Sequence, residues 1–209
     1  MESTPSTPLP TSPAPAPRAR RADAQRNKDR LVEAARQAFE IHGPNAPLDD
    51  IARAAGVGPG TLYRHFPTRI ALFEAVYRAN VERLCAEGER LAQTEPPADA
   101  LVHWLRGFVS VISQKRGLAT ALSDEGVTSD VFAHCHAMIN VTGGDLLDRA
   151  KGAGAIRDDI ALGDLLKMAK GFAYVGETSP EGPAAAERLL DLAMDGLRTR
   201  DDDGDAAPA

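Results

Sequence analysis

Between Leu48 and Leu72 the chain sets short apolar stripes between glycine and proline in a way that leaves one folding option: two brief helices across a tight turn, then a longer third helix. Leu48, Ile51, Ala52 and Ala55 recur at helical spacing and make one apolar face, while Asp49, Asp50 and Arg53 point away from it. Gly56 can take the left-handed conformation that closes a helix, Val57 returns an apolar anchor to the core, and Pro59 suits the first turn of the next helix. In that second helix Leu62 and Phe66, four apart, face inward, which directs Thr61, Tyr63, Arg64 and His65 elsewhere. Pro67 pushes the residue before it out of helical geometry and so ends the element, and Thr68 is placed to cap the helix that follows.

The outward set has a common chemistry. Thr61, Tyr63, Arg64 and His65 all donate hydrogen bonds or carry charge toward phosphate. Arg69 falls in the first turn of the third helix, where free backbone amides attract an anion and a guanidinium adds a fork of donors, so this corner reads as a clamp on a phosphate backbone. Charge is segregated to match. Residues 18–80 hold eleven Lys/Arg against seven Asp/Glu, a net of +4, whereas residues 81–209 hold thirteen against twenty-two, a net of −9. An acidic chain with evenly spread charge would be repelled by nucleic acid, so the separation matters more than the total of −6.

The run Ile51-Ala-Arg-Ala-Ala-Gly-Val-Gly-Pro-Gly-Thr-Leu-Tyr-Arg-His-Phe66, followed by Arg69, Ala71 and Leu72, resembles the DNA-binding motif of the TetR family of bacterial transcription regulators. The likeness extends to the preceding helix, where Leu31, Ala35, Ala38 and Phe39 form a stripe ending at His42-Gly43, and covers roughly a quarter of the chain closely. It implies a DNA-contacting set of Pro59, Gly60, Thr61, Tyr63, Arg64, His65 and Arg69, in which His65 and Arg69 mostly hold phosphate. Some features depart from the family. Ala46-Pro47 stands where a hydroxyl residue often starts the helix before the turn, Asp49 stands where some members carry a basic base-reading residue, and Gly58-Pro59-Gly60 offers almost no side chains for base reading. Specificity is then expected from Arg64, Tyr63, Thr61 and the N-terminal arm, with Asp49 starting its helix through the dipole.

The rest of the chain reads as all-helical, because Ala, Leu, Arg and Glu dominate and alternating Val/Ile runs bounded by hairpin turns are missing. Four regions are expected: a disordered N-terminal arm at 1–22, a three-helix helix-turn-helix domain at 23–70, a helical ligand-binding and dimerisation domain at 71–200, and an acidic disordered tail at 201–209. The basic residues Arg18, Arg20, Arg21, Arg26 and Lys28 read either as an arm that meets a minor groove or backbone, or as a solvated charge run. Helices are expected from Thr68 to about Ala92, Asp99 to Lys115, Leu118 to Leu122, Ser129 to about Ala153, Ala161 to about Gly176 and Pro183 to about Arg200. The Gly143-Gly144 pair weakens the middle of one of them and is expected to bend it. No stretch approaches the eighteen or so consecutive apolar residues of a membrane span, and the start lacks the apolar core of a secretory signal. With Cys85 and Cys135 too few for a disulfide framework, the cytoplasm is the expected compartment.

Aromatic and sulfur-bearing side chains gather on the middle helices: Trp104, Phe108, Phe132, Met138, Phe172 and Tyr174. They read as plain core or as the wall of a small-ligand pocket, Trp104 foremost, and the resemblance favours a pocket among these helices. His134-Cys135-His136 has ligand chemistry for zinc or copper, but on a helix residues 134 and 136 point about 200° apart and cannot share one ion. Neither a metal nor another cofactor is expected, and no nucleophile elbow or phosphate-binding glycine loop indicates catalysis. The resemblance implies a homodimeric repressor that binds a palindromic double-stranded DNA operator and is released by a small-molecule effector. Two alternatives stay open: an activator, and a helical binding protein that uses its helix-turn-helix for protein contacts.

Overall fold

The computed structural model describes residues 17–43, 45–121 and 130–199, and among these residues it contains eight helices and no strand. They are α1 (Pro17–His42), α2 (Leu48–Ala54), α3 (Pro59–His65), α4 (Arg69–Thr94), α5 (Pro97–Ala121), α6 (Asp130–Gly152), α7 (Leu162–Thr178) and α8 (Pro183–Leu197). The expected all-α architecture is present, with a small N-terminal head of α1 to α3 and a larger helical body. None of the described helices is long and apolar enough to cross a membrane.

Two buried clusters define head and body. In the head, Leu31 and Ala35 of α1 meet Ile51 and Ala52 of α2, Leu62 and Phe66 around α3, and Leu72 and Val76 at the start of α4. The body core gathers Phe73, Tyr77, Val81 and Leu84 of α4 with Leu101, Trp104, Leu105 and Phe108 of α5, Cys135, Ile139 and Leu146 of α6, and residues of α7 and α8. Helix α4 therefore serves both. Leu72 and Val76 point into the head, while their chain neighbours Phe73 and Tyr77, turned by about 100° on the helix, point into the body. Each such side chain contributes roughly 1.5 to 3 kcal/mol by leaving water.

Local chemistry accounts for the element ends. Gly56 sits at φ +67°, the left-handed region expected of it, and closes α2. The Thr68 hydroxyl accepts from the Ala71 amide at 3.1 Å and caps α4. Two expectations are corrected. The segment Pro17 to Ala22, expected as part of a disordered arm, belongs to α1, and α5 runs unbroken to Ala121 where a separate short helix was expected. The remaining arm residues 1–16, the segment 122–129 and the expected tail 201–209 lie outside the described residues.

Gly143 has a different use from the one its helix-weakening character suggested. Helix α6 is continuous through Gly143-Gly144, and a Cβ on Gly143 would stand 2.5 Å from Cη2 of Trp104. Gly88 on α4 flanks the same indole, where a Cβ would stand 2.8 Å from Trp104 Cδ1 and 2.5 Å from Thr142 Cγ2. The ring is thus packed between two helix backbones and stacks on Phe108 with centroids 6.0 Å apart.

A polar ladder crosses from head to body. Glu33 on α1 accepts from Arg83 on α4 at 3.2 Å; Arg83 also donates to Asn80, and the Asn80 amide donates to Gln114 of α5 at 2.6 Å. Asn80 is the one buried polar residue among those described, and its side chain is satisfied by these two partners. The Arg36 guanidinium, bonded to Glu33 at 2.7 Å, is the main cause holding the Glu33 carboxyl down to about 2. At the far end, Arg157 N donates to Leu197 O at 3.1 Å and Thr199 N to Ala155 O at 3.3 Å, so the strand-like end of the chain closes over the turn between α6 and α7.

Substitution Gly143→Ala should cost about 1 to 3 kcal/mol by overpacking, measured as a lowered denaturation midpoint; adding Trp104→Phe should recover part of that loss if the clash with the indole is the cause. A second expectation concerns acid. Because the folded Glu33 carboxyl lies near 2 against an ordinary value of 4.5, its contribution is complete above about pH 4.5 and is lost as pH falls toward 2. Glu33→Gln should flatten the stability-against-pH curve in that interval and leave its shape above pH 5 unchanged.

Candidate nucleic-acid interface

Helix α3 is seven residues long, too short to persist alone, and it is held by its two anchors. Leu62 is 1% exposed and Phe66 3%, both within the head core. Fixing these two sets every other direction on the helix. Gly60 and Arg64 lie opposite the anchors, Tyr63 is on one flank at 48% exposure, and Thr61 and His65 are half-buried on the other. Arg64 donates to the Thr61 hydroxyl at 3.1 Å, which bends the guanidinium along the helix surface. The His65 ring leans on Phe66, centroids 6.3 Å apart.

Gly58, Pro59 and Gly60 form an exposed corner. Neither of these glycines has a positive φ, and a Cβ on either would meet nothing within 4 Å. Packing inside the protein therefore does not require them, although a helical glycine costs about 0.5 to 1 kcal/mol relative to alanine. The bare backbone leaves room for another surface to come close. Across such a surface α3 offers hydroxyl, phenol, guanidinium and imidazole donors with no carboxylate among them.

Arg69 stands in the first turn of α4, as expected, and makes a contact that its sequence position did not suggest. It is half-buried, and its Nη1 donates to the Ala46 carbonyl at 2.7 Å, tying the start of α4 to the turn before α2. The expected clamp is therefore at least partly a brace within the head. Sequence reasoning had no signal for this contact, since its partner is a backbone carbonyl.

The six aromatic and sulfur residues expected around a ligand do not form one pocket. Trp104 and Phe108 are fully buried core, because Gly88 and Gly143 let α4 and α6 close on the indole. Phe132 is half-buried against Tyr77 at 5.2 Å, and Met138 and Phe172 pack on the core margin. Tyr174 stands 51% exposed on α7. A cavity of about 290 Å³ lies elsewhere, between α5, α7 and α8, with Arg106, Ser110, Ser113 and Gln114 on one wall and Ala186 and Leu190 on the other. The polar residues of that wall recur at helical spacing, a pattern that reads from sequence as a solvated face. Arg106 there pairs with Asp191 at 2.5 Å. On α6, Cys135 is buried while His134 and His136 are exposed to either side of it, and no described group of three His, Cys, Asp or Glu is placed to hold a metal ion.

Comparison with known proteins agrees with this geometry. Residues 31–76 match the family described as bacterial regulatory proteins, tetR family, and residues 96–199 match the C-terminal domain of SbtR-like transcriptional regulators. The structure is similar to that of TetR transcriptional regulator SCO0520 from Streptomyces coelicolor, with 42% identity and a TM-score of 0.70 over 82% of this chain and 98% of that one. It is also similar to a TetR transcription regulatory protein from Mycobacterium vanbaalenii, with 35% identity and a TM-score of 0.67 over 86% and 99%. In sequence, the HTH-type transcriptional regulator UidR of Escherichia coli is 27% identical over 53% of this chain, which spans 57% of that protein's length. The HTH-type transcriptional repressor Rv1474c of Mycobacterium tuberculosis is 26% identical over 80% of this chain and 91% of its own. Matched in both head and body, and 42% identical to a solved relative along nearly all of that relative's length, the chain belongs to the TetR family of bacterial transcriptional regulators.

Proposed function

We propose that this chain is a cytoplasmic homodimeric repressor that seats α3 in the major groove of a roughly palindromic operator and leaves it when a small molecule binds the body. The observation that carries the reading is the division of α3: Leu62 and Phe66 are buried in the head while Gly60, Tyr63 and Arg64 face outward beside an open glycine corner. In this reading Tyr63 and His65 hold phosphate and fix register, and Arg64, released from Thr61, reaches a base edge. Arg69 acts by bracing the head.

Dimerisation is supported by α7 and α8. Both carry wide apolar stripes, yet Tyr174 and Leu192 remain 51% and 70% exposed on them, an arrangement that suits a four-helix bundle with a second copy. Two heads set about 34 to 36 Å apart would then meet successive turns of one face of the duplex. Two features of the body suit an effector. The first is the cavity between α5, α7 and α8, whose Gln114 wall is also the last rung of the ladder to Glu33. The second is Trp104 Nε1, a buried donor with no acceptor among the described residues, lying behind Gly88 where a ligand parting α4 and α6 could satisfy it. Such a ligand shifts the protein between states only by its difference in affinity for them.

Selection of bound fragments from genomic DNA, followed by footprinting on the winners, tests the reading directly; a failure to enrich any duplex, or protection of a single half-site by a monomer, would overturn it. With an operator in hand, Tyr63→Ala should weaken binding to all duplexes, and Arg64→Ala should relax preference at particular base pairs while each mismatch it had policed recovers about 1 to 3 kcal/mol. Gly60→Ala should separate stability from function: the free protein gains up to about 1 kcal/mol of stability, read by denaturation, and loses affinity for DNA.

A further inference from the structure

We infer that the groove between α4 and α6, over the edge of Trp104, is the effector site, and that its ligand is a small organic cation carrying a hydrogen-bond acceptor at its uncharged end; this rests on the effector-released reading above and gives it a place and a chemistry. Two observations on different residues carry it: a buried donor with nothing to donate to, and a set of carboxylates with no cation to meet.

The donor is Trp104 Nε1. The ring is fully buried, and among the described residues this is the one buried side-chain nitrogen or oxygen without a hydrogen-bond partner. Its direction is set by two glycines. The Cη2 and Cζ3 end of the indole meets α6, 2.5 and 2.8 Å from where a Cβ on Gly143 would stand, so the other edge faces α4, with Cδ1 and Nε1 2.8 and 3.1 Å from the Cβ position on Gly88. Gly88 is also part of the wall of an open groove of about 540 Å³ between α4 and α6. The bare backbone of Gly88 and the methyl group of Thr142, 2.5 Å from that same Cβ position, stand between the N–H and the groove. Displacing the Thr142 side chain, or parting the helices at this side-chain-free point, brings an acceptor to the indole. The rim of an indole is its positive edge, so an acceptor belongs there and a cation does not.

The groove itself carries the opposite sign. Glu89 of α4 and Asp145 and Asp148 of α6 line it, all three exposed and none in an ion pair with a described residue. The one cation on the lining, Arg149, has its guanidinium on the Ala92 carbonyl of α4 at 2.5 Å. Val141, 65% exposed, adds apolar surface beside Ala92 and Leu146. An anion is repelled here, a neutral molecule leaves the carboxylates unanswered, and a bare metal ion leaves the indole unanswered. A molecule with an apolar body, a positive group among the carboxylates and an acceptor turned toward Trp104 answers all three. The cavity between α5, α7 and α8 makes no such demand of Arg106 or Gln114, since Arg106 already pairs with Asp191 and Gln114 already accepts from Asn80. A ligand seated between α4 and α6 also bears directly on the helix that completes the head core through Leu72 and Val76.

Trp104 is the single tryptophan of the chain, so one indole N–H resonance in the proton–nitrogen correlation spectrum of the full chain reports the site. Three matched probes separate the requirements: benzoylcholine, which has acceptor and charge; its analogue with carbon in place of the ammonium nitrogen, which has the acceptor alone; and the phenylbutyl trimethylammonium ion, which has the charge alone. Benzoylcholine should move the indole resonance downfield in a saturable way and weaken operator binding. The neutral analogue should bind about tenfold more weakly, and the phenylbutyl ion should bind without the downfield move. A Glu89→Gln, Asp145→Asn double variant, changed at exposed positions and melting with the parent, should weaken benzoylcholine about tenfold and leave the neutral analogue as it was. Trp104→Phe should abolish the preference for benzoylcholine over the phenylbutyl ion. An indole resonance that ignores millimolar benzoylcholine, equal affinity for the neutral analogue, a double variant that binds like the parent, or binding that leaves operator affinity unchanged overturns the inference; the repressor reading survives each of these if the chain still selects an operator. A chain whose indole responds as described but which enriches no duplex keeps the site and loses the repressor reading.

Discussion

One helix with two apolar faces ties this molecule together. Leu72 and Val76 of α4 complete the head core, and Phe73 and Tyr77, one residue on in each case, complete the body core. Neither cluster closes without α4, so the head cannot turn as an independent bead on the body. A rotation of α4 about its own axis repacks both cores, and a tilt carries the head with it. The ladder of Glu33, Arg83, Asn80 and Gln114 adds a polar tie across the same junction. A buried amide in such a tie costs more when stranded than it contributes when paired, which favours discrete arrangements over gradual drift.

Charge is divided by position in a similar way. The cationic excess lies on the solvated start of α1, the neutral helix-turn-helix presents donors in fixed directions, and the acidic body follows. Net charge and fixed orientation are thereby given to different residues: the first to Lys and Arg side chains ahead of Leu31, and the second to a short helix held by Leu62 and Phe66.

Features governed by neighbours along the chain were legible from sequence alone. The spacing of Leu62 and Phe66, the left-handed Gly56 and the Thr68 cap are all consequences of period and turn chemistry, and each appears where expected. What depended on distant partners was not legible. The enclosure of Trp104 was hidden because its surroundings, Gly88 and Gly143, lie on two other helices, and small residues announce close packing only once the helices meet. The contact of Arg69 with Ala46 was hidden because its acceptor is a main-chain carbonyl. The cavity wall of Arg106, Ser110, Ser113 and Gln114 looked solvated because polar periodicity is the same whether water or a concave surface lies beyond it. The start of α1 gave no apolar period at all, and its helicity is inherited from the turns after Leu31.

The closing of residues 197–199 over the turn between α6 and α7, with Arg198 reaching Asp99 at 3.3 Å, has a practical corollary. Residues 197–199 are thereby fastened to the body. A truncation that reaches this segment removes the bond between Thr199 and Ala155 and uncovers the turn between α6 and α7.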